Sequence, residues 1–146
     1  MIMDKNTLQS KMAELKKYLA SHEDIGTVFL FGSYGTDYYD PAHSDLDLAI
    51  IFKRNLSLKE EMLVDAEISI ILGQDEVDIT NLNKARVDIS HQILSTGEII
   101  YEENKLVTAD FTEKTLKHYF DYGIPLSMMK ADFFEALKEE SRARDR

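Results

Sequence analysis

Asp45-Leu46-Asp47 opens an apolar run that continues through Leu48-Ala49-Ile50-Ile51-Phe52. In an extended strand alternate residues share a face, so Asp45 and Asp47 point one way and Leu46 and Leu48 the other. Their Cα atoms would lie about 6.6 Å apart at the usual rise of a strand. Two carboxylates at that spacing repel one another at neutral pH unless a cation compensates. Magnesium suits the role, because it takes oxygen ligands and is commonly held by one or two carboxylates together with substrate phosphates. A third carboxylate, Asp78, stands in the next short β-like run, Val77-Asp78-Ile79. If that strand lies beside the Asp45–Phe52 strand, Asp78 joins the cluster, and the trio suits two-metal phosphoryl or nucleotidyl transfer.

Gly32-Ser33 supplies the complementary half. It ends the apolar run Thr27–Phe31, where a glycine lets the backbone approach a phosphate closely. Ser33 is placed to open a short helix whose free N–H groups favour an anion. Phosphates on one side and metals on the other would bracket a nucleoside triphosphate. Each fragment alone has an ordinary structural explanation: a turn cap for Asp-x-Asp, a solvated strand end for Asp78. Their order along the chain carries the reading.

The elements that must position these residues can be read from periodicity. Leu8, Met12, Leu15 and Leu19 recur at helical steps over 5–21. A strand follows at 27–31, then a short helix or turn and a loop over 33–44, and a strand at 45–52. Ser57 with Glu60 three residues on is a capping box, which predicts a helix from there to about Leu72, stopped by Gly73. Val77–Ile79 predicts a third strand. A helix is expected over 84–96 with Val87, His91 and Leu94 on one face and Gly97 closing it, and Ile99–Tyr101 is expected as an edge strand. From about residue 104 the pattern is helical and aromatic, with stripes Leu116/Tyr119/Phe120 and Leu126/Met129/Phe133/Leu137. Gly123-Ile124-Pro125 is expected to interrupt it, because proline disfavours helix in the residue before it. The order gives an α/β (α+β) chain with a small sheet covered by helices. Residues 1–104 are expected to form the catalytic domain and 105–146 a helical extension that packs on the domain, on a partner, or both.

Composition narrows the function classes. The chain has 146 residues, and 17 basic against 27 acidic residues give a net charge of −10, which disfavours direct gripping of long nucleic acid. Cysteine is absent, which excludes thiol nucleophiles and cysteine-bound zinc. No apolar run approaches the ~20 residues needed to span a bilayer, and a cytoplasmic location is the default expectation.

These residues resemble the minimal nucleotidyltransferases of the DNA polymerase β superfamily, over roughly residues 8–104. The matching stretches are Phe31-Gly32-Ser33-Tyr34-Gly35, Ser44-Asp45-Leu46-Asp47-Leu48, Val77–Ala85, and the helix leading into Gly97-Glu98-Ile99-Ile100-Tyr101-Glu102. The likeness is nearest to the antitoxin group paired with HEPN-domain ribonuclease toxins. The resemblance implies a polymerase-β-like fold with a small mixed sheet. It implies that Gly32 and Ser33 hold the triphosphate, that Asp45 and Asp47 bind Mg²⁺, and that Asp78 is a metal ligand or general base. It further implies transfer of AMP from ATP to a tyrosine hydroxyl of the HEPN toxin within a hetero-oligomeric complex. Eleven residues separate Ser33 from Asp45, one more than the family pattern, which places an extra loop residue near Asp37–Pro41. Two rival readings stay open: an antibiotic-type small-molecule nucleotidyltransferase, and an antitoxin that acts by steric contact alone.

Other polar residues have two readings each. His43, and Tyr34, Tyr38 and Tyr39, either contact the nucleotide or belong to a solvated or packed loop. Lys53 and Arg54 either neutralise a triphosphate or form a solvated pair. The Met- and Phe-rich tail is either core or a partner interface.

Overall fold

The computed structural model describes residues 5–32, 46–73 and 77–144. The chain order is α1 (Lys5–Ser21), β1 (Ile25–Phe31), β2 (Leu46–Phe52), α2 (Leu58–Leu72), β3 (Val77–Asn81), α3 (Val87–Thr96), β4 (Glu98–Glu102), α4 (Lys105–His118), a π-helical turn (Tyr119–Gly123) and α5 (Ile124–Arg144). The four strands form one sheet in the order β3-β2-β1-β4. β1 runs antiparallel to β2 and β4, and β2 runs parallel to β3. The sheet is therefore mixed, and β4 is an edge strand.

Strand alternation divides the core into two layers. Leu46, Leu48, Ile50 and Phe52 of β2 join Val28 and Leu30 of β1, and they pack against Leu15 and Leu19 of α1 and Val64, Ile68 and Leu72 of α2. The opposite face carries Phe29, Ala49 and Ile51 under Ile93 of α3, with Val107 and Phe111 of α4 beside them. A register shift between Ile25 and Thr27 breaks the alternation in β1. It lets Ile25 join Val28 and Leu30 in the α1/α2 layer, while the buried Thr27 faces the other layer, its hydroxyl 2.7 Å from that of Thr108 on α4.

Local signals set several boundaries. Ser57 Oγ accepts the Glu60 N–H and Glu60 Oε1 accepts the Ser57 N–H, so the capping box starts α2. Gly73 sits at φ 64° and its N–H donates to the Ser69 and Ile70 carbonyls, ending α2 in the left-handed cap that glycine accommodates. The helix expected from residue 84 starts later, at Val87. Residues 82–86 are held as a turn: the Asn83 side chain pairs with both the N–H and the carbonyl of Phe52, and Lys84 Nζ donates to the Leu56 carbonyl and to Glu61. The buried positions of α3 are Ser90 and Ile93, and His91 turns outward to stack on Tyr119.

The expected interruption at Gly123-Ile124-Pro125 does not occur. Helical structure runs from Lys105 to Arg144, with a π turn absorbing the proline. The Ile124 N–H reaches back five residues to the Tyr119 carbonyl. A π turn is wider than an α turn, so the proline ring, which lacks an N–H and clashes in a tight helix, is accommodated. α4 packs on the sheet, whereas the described side chains of α5 are exposed.

Candidate active site

The site lies where β1 ends and where β2 and β3 begin. Parallel pairing sets Asp47 of β2 directly beside Asp78 of β3. Side chains paired this way project from the same face, on strands about 4.8 Å apart. Alternation fixes which face that is. Leu46 and Leu48 enter the α1/α2 layer, so Asp47 and Asp78 face the side occupied by α3 and α4. Asp47 is half-buried and Asp78 is exposed.

On its other flank Asp47 pairs with Phe31, and Gly32 follows at once. Gly32 has φ 82°, and a Cβ built on it would stand 2.2 Å from Asp47 Oδ2. The missing side chain is thus required twice: for the left-handed backbone, and because the Asp47 carboxylate occupies the space a Cβ would take. The turn and the carboxylate form one unit, with Gly32 exposed to whatever binds there.

The surroundings are acidic. Desolvation first, and then the negative charges of Glu61 and Asp78, hold the Asp65 carboxyl above its ordinary range. Glu61 is itself held down, chiefly by its hydrogen bond from Lys84 and then by that from Asn81. A carboxylate edge of this kind favours a hard cation with oxygen ligands. Among the described residues, no three His, Asp or Glu side chains already form a metal cage. The carboxylate pair is Asp47 and Asp78. Asp45 and Ser33 lie outside the described residues, as do His43, Tyr34, Tyr38 and Tyr39.

Lys53 and Arg54 stand at the opposite end of β2, away from these carboxylates. Lys53 pairs with Glu103, and Arg54 with Asp24 and Glu60. They tie the end of β2 to the ends of its neighbouring strands and to α2, away from any triphosphate at the carboxylates.

Sequence reading missed a second cluster beside α3. The Asp88 side chain is 7% exposed; its Oδ2 accepts from Lys130 Nζ at 2.7 Å and from Arg86 at 3.3 Å. His91 and Tyr119 stack with centroids 3.6 Å apart and planes 2° apart. Lys130 lies 42 residues from Asp88, so no local spacing could have announced the pair.

The sheet order, the carboxylate pair and the glycine turn place this protein among the nucleotidyltransferases. Residues 13–106 match the family described as polymerase beta, nucleotidyltransferase, and the chain belongs to it. Its relatives include the protein adenylyltransferase MntA of Aphanizomenon flos-aquae (strain 2012/KM1/D3), 30% identical over 112 residues, 70% of this chain and 74% of the relative. Two solved structures share the fold. One is the complex of tri-AMPylated Shewanella oneidensis HEPN toxin with MNT antitoxin, with TM-score 0.67, 20% identity, and coverage of 87% of this chain and 98% of that one. The other is a toxin–antitoxin crystal structure with AMP-PNP, with TM-score 0.65, 20% identity, and coverage of 86% and 98%.

Proposed function

We propose that this chain is an antitoxin that transfers AMP from ATP to a tyrosine hydroxyl of a HEPN ribonuclease toxin and so neutralises it. The carrying observation is the direct pairing of Asp47 with Asp78 on one face, with Gly32 closed over Asp47. The relative's name and the AMPylated toxin complex support the acceptor class. The AMP-PNP complex supports ATP as donor. The net charge of −10 suits a partner that itself must carry a basic footprint to hold RNA.

The reaction joins the acceptor oxygen to the α-phosphorus and breaks the α–β phosphoanhydride bond, releasing pyrophosphate. Gly32 and Ser33 would bind the phosphates, the bare Cα of Gly32 permitting close approach. Asp45, Asp47 and Asp78 would hold Mg²⁺, and the all-oxygen donor set and the acidic edge fit that ion. When bound, Mg²⁺ supplies neutralising charge for the triphosphate. Asp47 lies against the bare Cα of Gly32. Asp78, exposed on the same face, would serve as a metal ligand or, alternatively, take the acceptor's proton. Positioning and charge stabilisation supply most of the rate.

The test is co-expression with a HEPN toxin followed by intact-mass analysis. The toxin should gain mass in steps of one AMP, and Asp47→Asn should abolish the gain while the circular dichroism spectrum is kept. Wild-type transfer by Asp47→Asn would overturn the mechanism. The exposed apolar side chains of α5 favour a second reading, inhibition by contact alone; an unmodified but silent toxin would select it.

A further inference from the structure

We propose that the apolar stripe Leu126/Met129/Phe133/Leu137 of α5 is the surface on which the HEPN toxin docks, seated in an apolar groove of the toxin rimmed by lysine and arginine. The inference rests on the toxin-directed reading above and says which face of this chain the partner takes.

The stripe recurs at steps of three and four residues, so its members share one side of the helix. It runs about 16 Å along the axis at ~1.5 Å per residue. Every described side chain of α5 is exposed, so the stripe closes no part of the domain's core. Met129, Phe133 and the neighbouring Phe134 are 60–67% exposed, and the two phenylalanine rings stand edge-on with centroids 6.2 Å apart. An aromatic can bury about 150–250 Å², so these two rings alone leave roughly 200 Å² for a partner. With Met129, Leu126 and Leu137 the stripe reaches the few hundred Å² that mark an interaction site.

A second exposed apolar stripe, Leu63, Ala66 and Ile70 of α2, competes for the role, and the position of the carboxylates decides between them. Asp47 and Asp78 face the α3/α4 side of the sheet, whereas α2 covers the other side. α5 belongs to the α3/α4 side: it continues from α4 through the π turn and meets α3 where Lys130 Nζ lies 2.7 Å from Asp88 Oδ2. A partner held on α5 is on the same side of the sheet as the carboxylates that must meet its hydroxyl. Held on α2, it would sit behind the sheet.

Two further observations favour the toxin as the occupant. The nucleotidyltransferase family match ends at residue 106, before all but the start of α4. The fold match to the antitoxin solved in complex with HEPN toxin covers 87% of this chain, more than residues 1–123 supply, so it reaches α5 itself. α5 is thus outside the catalytic family yet within the shape shared with a toxin-bound antitoxin. Charge points the same way. Asp132, Glu135 and Glu139 form an acidic row beside the stripe. A second copy of this chain would set that row, and a net charge of −10, against its own like. A toxin that holds RNA carries a basic footprint, and complementary rims steer the encounter.

The experiment measures binding of the chain to a HEPN toxin by calorimetry without ATP, so that no transfer intervenes, beside AMP transfer read by intact mass. Phe133→Ser and Met129→Ser should each raise Kd roughly tenfold or more, with the melting temperature kept because both side chains are exposed. Ile70→Ser on α2 should leave Kd unchanged, and added salt should weaken wild-type binding. Unchanged Kd in both α5 variants overturns the proposal, as does a loss confined to Ile70→Ser. A chain that dimerises alone, its mass in light scattering halved by Phe133→Ser, overturns it in favour of a second copy. If the α5 variants lose affinity while the wild-type chain adds no AMP, the docking surface stands and the transfer reading falls. If they bind and transfer AMP as the wild type does, the transfer reading stands and the docking surface falls. A wild-type chain that does not bind the toxin overturns both.

Discussion

Gly32 and Asp47 act as one unit, so changing the glycine changes the carboxylate. Gly32→Ala forces a left-handed backbone on a residue with a Cβ, a cost of about 1–2 kcal/mol. It also drives that Cβ to 2.2 Å from Asp47 Oδ2. The expected outcome is a modest fall in melting temperature with a loss of AMP transfer far larger than the fall explains, read by thermal denaturation and intact mass. Asp88 gives a second prediction at this scale. Its hydrogen bond from Lys130 is the first cause that lowers its pKa below 3.8. A carboxylate depressed in the folded state contributes its stabilisation in full above its unfolded pKa and loses it as pH falls through the folded value. The α3–α5 contact should therefore be intact at neutral pH and release below about pH 3.8, seen as loss of the tyrosine near-ultraviolet dichroism from the Tyr119 stack. Asp88→Asn should remove that acid transition.

Among the elements, α2 is bounded by chemistry that can be tested alone. Arg54 is the main cause that brings the Glu60 carboxyl down to about 2, and the Ser57 N–H adds to it. Ser57→Ala removes the hydroxyl that accepts the Glu60 N–H and should cost about 1 kcal/mol by chemical denaturation, with the active site unaffected because it lies at the other end of the sheet. The turn over residues 82–86 shows a subtler division of labour. Asn83 pairs with Phe52 where β3 has already ended, and Lys84 fastens the turn to α2. These bonds hold β3 in the register that sets Asp78 beside Asp47.

For the molecule as a whole, the two-layer core and the projecting helix have separate roles. The hydrophobic layers are closed by α1, α2, α3 and α4, and α5 adds few buried side chains. Deleting residues 124–146 should therefore leave a folded domain whose melting temperature falls by no more than a few degrees, while toxin binding in a pull-down is lost. Collapse of the deleted protein into an unfolded chain would show that α5 is structural.

The sequence by itself determined what short-range chemistry controls: the capping box and glycine stop of α2, the alternation that turns Leu46 and Leu48 inward and Asp47 outward, and the strand and helix order that implies a small covered sheet. Asp47 and Gly32 were legible as candidates because their residue types and spacing are local, while their sequence partners Asp45 and Ser33 lie outside the described residues. Tertiary structure decided the rest. Whether Asp78 stood beside Asp47 depended on β3 pairing parallel to β2, a contact across 31 positions. The continuous helix through Pro125 depended on a π turn beside which Tyr119 stacks on His91, and the Asp88–Lys130 ion pair joins residues 42 positions apart. Propensity and periodicity are sums over neighbours in the chain, whereas register, helix direction and ion pairing are set by which surfaces meet when the chain closes on itself.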